Sequence, residues 1–159
     1  MAQIKNRIDH VVWMCRPENH DAYVQKLASL FDCEFEANDG GPDFGLRIAW
    51  SWSAGLEVVS PARPEDDTEN AYARMGWEYL AKRDEGLFAV VMGVDDVDKA
   101  IERARALGCD PSPLLYLPAT EKPWRNRVQE CTESVLDVFL GQNLAVGRII
   151  TDEPSGRQD

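Results

Sequence analysis

The order of apolar runs and turn signals predicts an α+β fold built from two βαβββ modules in one compact domain. Two observations carry that reading. The strand–helix–strand–strand–strand order can be read twice along the chain. Landmark positions also keep nearly the same offset, since His10 and Ala89 lie 79 apart and Glu57 and Asp137 lie 80 apart, as a duplicated module predicts. Bulk composition agrees with a folded chain: 44% of the 159 residues are hydrophobic and five are tryptophan, enough to bury a sizeable core.

The first module spans residues 1–62. IDHVVWM predicts a strand over about 6–15, with His10 on the same face as Ile8, Val12 and Met14. RPENHDAYVQKLASLFDCEF predicts a helix that Asn19 can cap, with Val24, Leu27, Ala28 and Phe31 recurring on one face. A short strand follows at 33–37, then the turn-rich ANDGGPDFG, then strands LRIAWSW (46–52) and GLEVVSP (55–61) joined by a tight turn. Residues 63–85 form a proline-punctuated connector carrying a helix over 69–83.

The second module spans 86–141. GLFAVVMGV predicts a strand at 86–94. DDVDKAIERARALG predicts the clearest helix, with Asp95 or Asp96 as its cap, a stripe of Val97, Ala100, Ile101, Ala104 and Leu107, and Gly108 as its stop. Strands are expected near 112–117, 125–131 and 134–140, and residues 142–159 read as a C-terminal tail.

Charge and cysteine content exclude several roles. Acidic residues outnumber basic ones 28 to 17, for a net charge of −11, and no basic cluster suits a nucleic-acid backbone or an anionic membrane. No apolar run reaches the roughly 20 residues that span a bilayer. The four cysteines at 15, 33, 109 and 131 lack zinc-like spacing, so reduced thiols and a cytoplasmic location are expected. No Ser-His-Asp order, P-loop or dinucleotide glycine pattern is present.

Several residues admit two readings each. His10, an imidazole amid an apolar strand, is either a buried histidine with a hydrogen-bond partner or a ligand or proton carrier aimed into a cavity. Trp50 and Trp52 alternate onto one side of their strand, either as an apolar wall for a ligand or as packing against a helix or partner. Arg47 either grips a carboxylate or phosphate or makes a surface ion pair. Trp13 is a further ligand-binding candidate, His20 is expected at the surface, and the Asp95–Asp96 pair reads as a helix cap.

IDHVVW, GLEVVSP and EGLFAVVMGVDDVDKAIERARALG, in that order and spacing, resemble the vicinal oxygen chelate superfamily (glyoxalases, bleomycin-resistance proteins and extradiol dioxygenases), and look most like its methylmalonyl-CoA epimerase branch. The resemblance covers about residues 6–141. It implies that the two modules form an open half-barrel with a central cleft. It also implies a metal ligand on the first and last strand of each module. Those four slots carry His10, Glu57, Ala89 and Asp137. The first two match, Asp137 is one methylene shorter than the usual glutamate, and Ala89 departs from the usual histidine.

On this resemblance His10, Glu57 and Asp137 would hold a divalent ion (Mn, Mg, Fe, Co, Ni or Zn), with no organic cofactor. The same three are the candidate catalytic residues of a metal-assisted epimerase, isomerase or lyase. Its substrate would be a small oxygenated acid, thioester or aromatic metabolite. The other reading, which Ala89 favours, is a metal-free bleomycin-resistance-like protein that sequesters a hydrophobic or planar ligand. A homodimer is expected from the family.

Overall fold

A computed structural model describes residues 6–38, 44–67, 69–118 and 128–151. The chain divides into two compact units, one of Met1–Val11 with Ala89–Asp159 and the other of Val12–Phe88. Two strands, β1 (Arg7–Met14) and β5 (Gly86–Gly93), therefore contribute one part to each unit.

The Val12–Phe88 unit begins with the end of β1 and continues through a 3-10 turn into α1 (His20–Phe31). β2 (Glu36–Asn38), β3 (Leu46–Ser51) and β4 (Leu56–Pro61) follow, paired antiparallel in chain order. The backbone N–H of Cys15 donates to Val59 O at 2.9 Å, which holds the end of β1 beside β4. The register pairs Trp50 with Glu57, Ile48 with Val59 and Leu46 with Pro61. Alternation puts these six on one face and Arg47, Ser51, Val58 and Ser60 on the other. α2 (Ala71–Arg83) starts at Asn70, whose side chain accepts from Ala73 N, and seats Gly76 against Pro61. An alanine methyl at 76 would meet Pro61 Cγ at 3.0 Å.

α1 departs from its reading in three ways. Asn19 makes no side-chain cap; its Nδ2 donates instead to Glu85 Oε1 at 2.9 Å. Phe31, placed by spacing on the apolar face, is 60% exposed. His20, expected at the surface, is 1% exposed and bonds Ser60 Oγ through Nδ1 at 2.9 Å. Burying the ring at the helix start satisfies a serine that would otherwise sit desolvated on the sheet.

In the other unit Asn6 N donates to Gly93 O, and β5 pairs parallel with β8 (Gln142–Thr151). β8 pairs antiparallel with β7 (Val128–Phe139), which pairs with β6 (Leu115–Pro118). α3 (Val97–Ala106) is capped by Asp96, which accepts from Lys99 N. It buries Val97, Ala100 and Ile101 on Val146, beside Met92, Val94 and Leu136. Burial of Val97, Ile101 and Val146 contributes about 1.5–3 kcal/mol each.

The last two predicted elements are corrected here. One long strand replaces the pair expected near 125–131 and 134–140, of which 125–127 lie outside the described residues. The supposed tail from 142 forms a strand as far as Thr151, with Ala145, Val146 and Ile149 buried; 152–159 lie outside the described residues. Leu140 and Gly141, at φ +48° and +83°, close the β7–β8 hairpin.

Candidate functional site

His10 is 1% exposed, and its Nδ1 lies 2.9 Å from Asp9 Oδ1. A carboxylate can only accept, so Nδ1 carries the hydrogen and the ring is held with Nε2 pointing away from Asp9. Nε2 lies 3.7 Å from Glu133 Oε1. Glu133 sits on β7 opposite Gly147 of β8, and its carboxylate occupies space that a larger residue at 147 would fill. An alanine methyl there would come within 3.3 Å of Glu133 Oε1 and 3.0 Å of Val91 Cγ1. Ala89 and Val91 pair with Asn143 and Ala145 on that same face. Glu133 was not singled out from the sequence. Its signal was its place two residues after the buried Cys131, legible only once the register of β7 is known.

Asp137 stands elsewhere. A β-bulge between Val135 and Asp137 adds a residue to β7, so Val135 pairs with Ala145 but Asp137 pairs with Leu144. That single slip moves Asp137 off the face of Glu133 and Val135. Its exposed carboxylate accepts from Val138 N at 2.7 Å and Cys109 Sγ at 3.4 Å. It also lies on β7, whereas the last strand of the second module is β8. The expected assignment of Asp137 to that slot is therefore corrected.

The Val12–Phe88 unit carries the other candidates. Glu57 is 7% exposed and faces Trp50 across β3 and β4. Trp50 stacks on Trp52 with ring centroids 4.6 Å apart and planes 5° off parallel. Trp52 Nε1 donates to Glu36 Oε2 at 3.1 Å. Within this unit Glu57, Trp50 and Trp52 are thus brought together. Arg47 is on the opposite face, where its guanidinium bonds Asp21 of α1. That hydrogen bond holds the Asp21 carboxyl below the usual carboxylate range. Trp13 lines a cavity beneath α1 with Val58. The four cysteines are free thiols.

Within the unit that holds His10, the described residues do not assemble a divalent-metal site. Among the described residues of that unit, Glu133 stands 3.7 Å from His10 Nε2, while Ala89 and Gly147 carry no donor. Among the described residues no three His, Cys, Asp or Glu side chains cluster as ligands. Catalytic divalent sites usually present three. What the arrangement offers is a buried imidazole between two carboxylates, able to accept a proton at Nε2 and to be stabilised when charged.

The sequence matches no protein-family model and no curated protein. Solved structures do match. A methylmalonyl-CoA epimerase in complex with methylmalonyl-CoA superposes with a TM-score of 0.62 at 20% identity, over 92% of this chain and 94% of that one. The chain shares the α+β fold of that structure. The methylmalonyl-CoA epimerase of Mycobacterium tuberculosis matches at TM-score 0.60 and 15% identity, covering 92% and 90%. A variant of the Streptomyces coelicolor enzyme, in complex with 2-nitronate-propionyl-CoA, matches at 0.59 and 21%, covering 92% and 94%. At these identities the likeness concerns the fold. No described helix is long and apolar enough to cross a membrane.

Proposed function

We propose that this protein is an epimerase-type enzyme that moves the α-proton of an acyl thioester, with His10 as the proton carrier. The observation that carries the reading is the buried His10 ring, pinned by Asp9 at 2.9 Å and facing Glu133 at 3.7 Å. His10 Nε2 takes the proton as the Cα–H bond breaks, and the electron pair moves into the thioester carbonyl. Asp9 and Glu133 stabilise the imidazolium that forms. Solvent delivers a proton to the opposite face of the enolate, which inverts the centre, and the His10 imidazolium gives its own proton back to solvent. The likeness to structures holding CoA thioesters supports the substrate class. Glu57 enters as the first-module carboxylate that the resemblance assigns to the chemistry.

The test is conversion of one C2 epimer of methylmalonyl-CoA to the other by the purified protein. His10→Asn should lower kcat/KM by about 10²–10⁴, the usual worth of a positioned acid or base, and Glu57→Gln should lower it as well. Turnover unchanged in His10→Asn overturns the reading.

A second reading rests on the stacked Trp50–Trp52 pair and on Ala89: a binding protein that holds a planar or hydrophobic molecule. Tight binding of a planar aromatic, weakened by Trp52→Ala and without turnover of any thioester, would favour it.

A further inference from the structure

The Val12–Phe88 unit holds a cavity of about 290 Å³ on the α1 side of its sheet. Its floor is Met14, Cys15 and Val58, and its wall is Leu27. Val58 alternates with Glu57 along β4, so the cavity lies behind the face that carries Glu57 and Trp50. It approaches the lower end of the volumes that hold small ligands.

The mouth carries uncovered apolar surface. Leu30, Trp13 and Tyr23 line it and are 66%, 38% and 37% exposed. At the same mouth stands Glu85, whose Oε1 accepts from Arg16 N at 2.8 Å and Asn19 Nδ2 at 2.9 Å, and whose Oε2 accepts from Tyr23 OH at 2.6 Å. Burial opposes its ionisation, but hydrogen bonds from Tyr23, Asn19 and Arg16 outweigh that and hold the carboxyl below its usual range. The Cys15 thiol beneath is pushed up to about 12 by burial, so it stays protonated and uncharged. Of the nearby cations, Arg16 pairs with Asp84 at 3.2 Å, Arg47 pairs with Asp21, and Lys26, which also lines the cavity, is exposed.

We propose that this cavity is a second ligand site that takes a small apolar molecule bearing an ammonium group. The hydrocarbon part fills the space over Met14, Cys15 and Val58. The cation rests against the Glu85 carboxylate and the Trp13 and Tyr23 rings, a combination of negative charge and aromatic faces that suits an organic cation.

Calorimetric titration of the intact protein with octylammonium, octanol and octanoate tests the proposal. Octylammonium should bind at least tenfold more tightly than the other two. Glu85→Gln should bring octylammonium and octanol level. Because Glu85 also ties Arg16, Asn19 and Tyr23 together, two further variants keep the test decisive. Leu27→Trp should fill the cavity and abolish binding of all three probes, and Tyr23→Phe, which leaves the carboxylate charged, should keep the preference for the amine. Octanoate binding as tightly as octylammonium, binding that survives Leu27→Trp, no binding at all, or a solution dimer that buries Trp13 would each overturn it.

Discussion

Replacing Gly147 by alanine probes the arrangement that sets Glu133 against His10. The new methyl would sit 3.0 Å from Val91 Cγ1 and 3.3 Å from Glu133 Oε1. Val91 is 2% exposed and β-branched, so it has little freedom to turn away. Glu133 is flexible and gives way first. Overpacking of this kind costs about 1–3 kcal/mol, while the lost glycine entropy of the unfolded chain returns about 0.4–1 kcal/mol. The net expectation is a loss centred at about 1.3 kcal/mol, within about 0–2.6 kcal/mol, read as a lower urea midpoint at unchanged slope. For a chain of this size that lowers Tm by about 2–4 °C per kcal/mol. Val91→Ala in the same chain should recover at least about 0.5 kcal/mol beyond additivity, since the two sites touch. A stabilising Gly147→Ala, or one with no coupling to Val91→Ala, would refute the packing of Val91 and Glu133 over residue 147.

Other expectations follow from the same geometry. Ala89→His adds an imidazole on the face that carries Glu133 and should raise Co²⁺ affinity at least about tenfold, the scale on which even outer contacts tune a metal; an unchanged visible spectrum with Co²⁺ would show that position 89 is not beside His10. Ile101→Ala empties part of the α3 core and should cost about 2–5 kcal/mol in urea unfolding, with a loss under about 1 kcal/mol counting against that packing. The stability that the protonated Cys15 contributes is present below its ordinary value of 9.0 and is lost as pH rises toward about 12, because burial raises the folded value. Cys15→Ala should therefore flatten the alkaline decline in unfolding free energy by up to about 1.4 kcal/mol per pH unit, and an unaltered slope would contradict it.

Much of the fold was legible because the relevant signals are local. The apolar stripe and Asp96 cap of α3, the alternation of β3 and β4, and Gly108 at φ +86° after α3 all act within a few residues. The end of the second module was not legible, for a specific reason. Its hairpin turns on Leu140–Gly141 with leucine in the left-handed region, where asparagine or aspartate usually announces such a turn. Without that mark, VLDVFLG reads as a final strand and the true one reads as a tail. The bulge after Val135 is equally silent, and it moves Asp137 to the other face.

His10 was found as a polar interruption of an apolar run, and Glu57 by its place in GLEVVSP. Glu133 escaped because ECTES carries no pattern of its own. It becomes notable only when strand pairing places it over a glycine and opposite an imidazole. Trp50 and Trp52 were placed on one side by simple alternation, and their stacking follows. The side on which Arg47 lies depended on strand register and on the position of α1, which periodicity alone does not supply.

Incorporation of deuterium at the α-carbon of methylmalonyl-CoA in D₂O, followed by NMR, tests the central claim most directly, because it registers proton transfer whether or not inversion follows. The wild-type protein should exchange that hydrogen far faster than buffer. His10→Asn should abolish the exchange, and Glu133→Gln should slow it. Exchange at the wild-type rate in His10→Asn, or none in the wild type itself, would contradict the account.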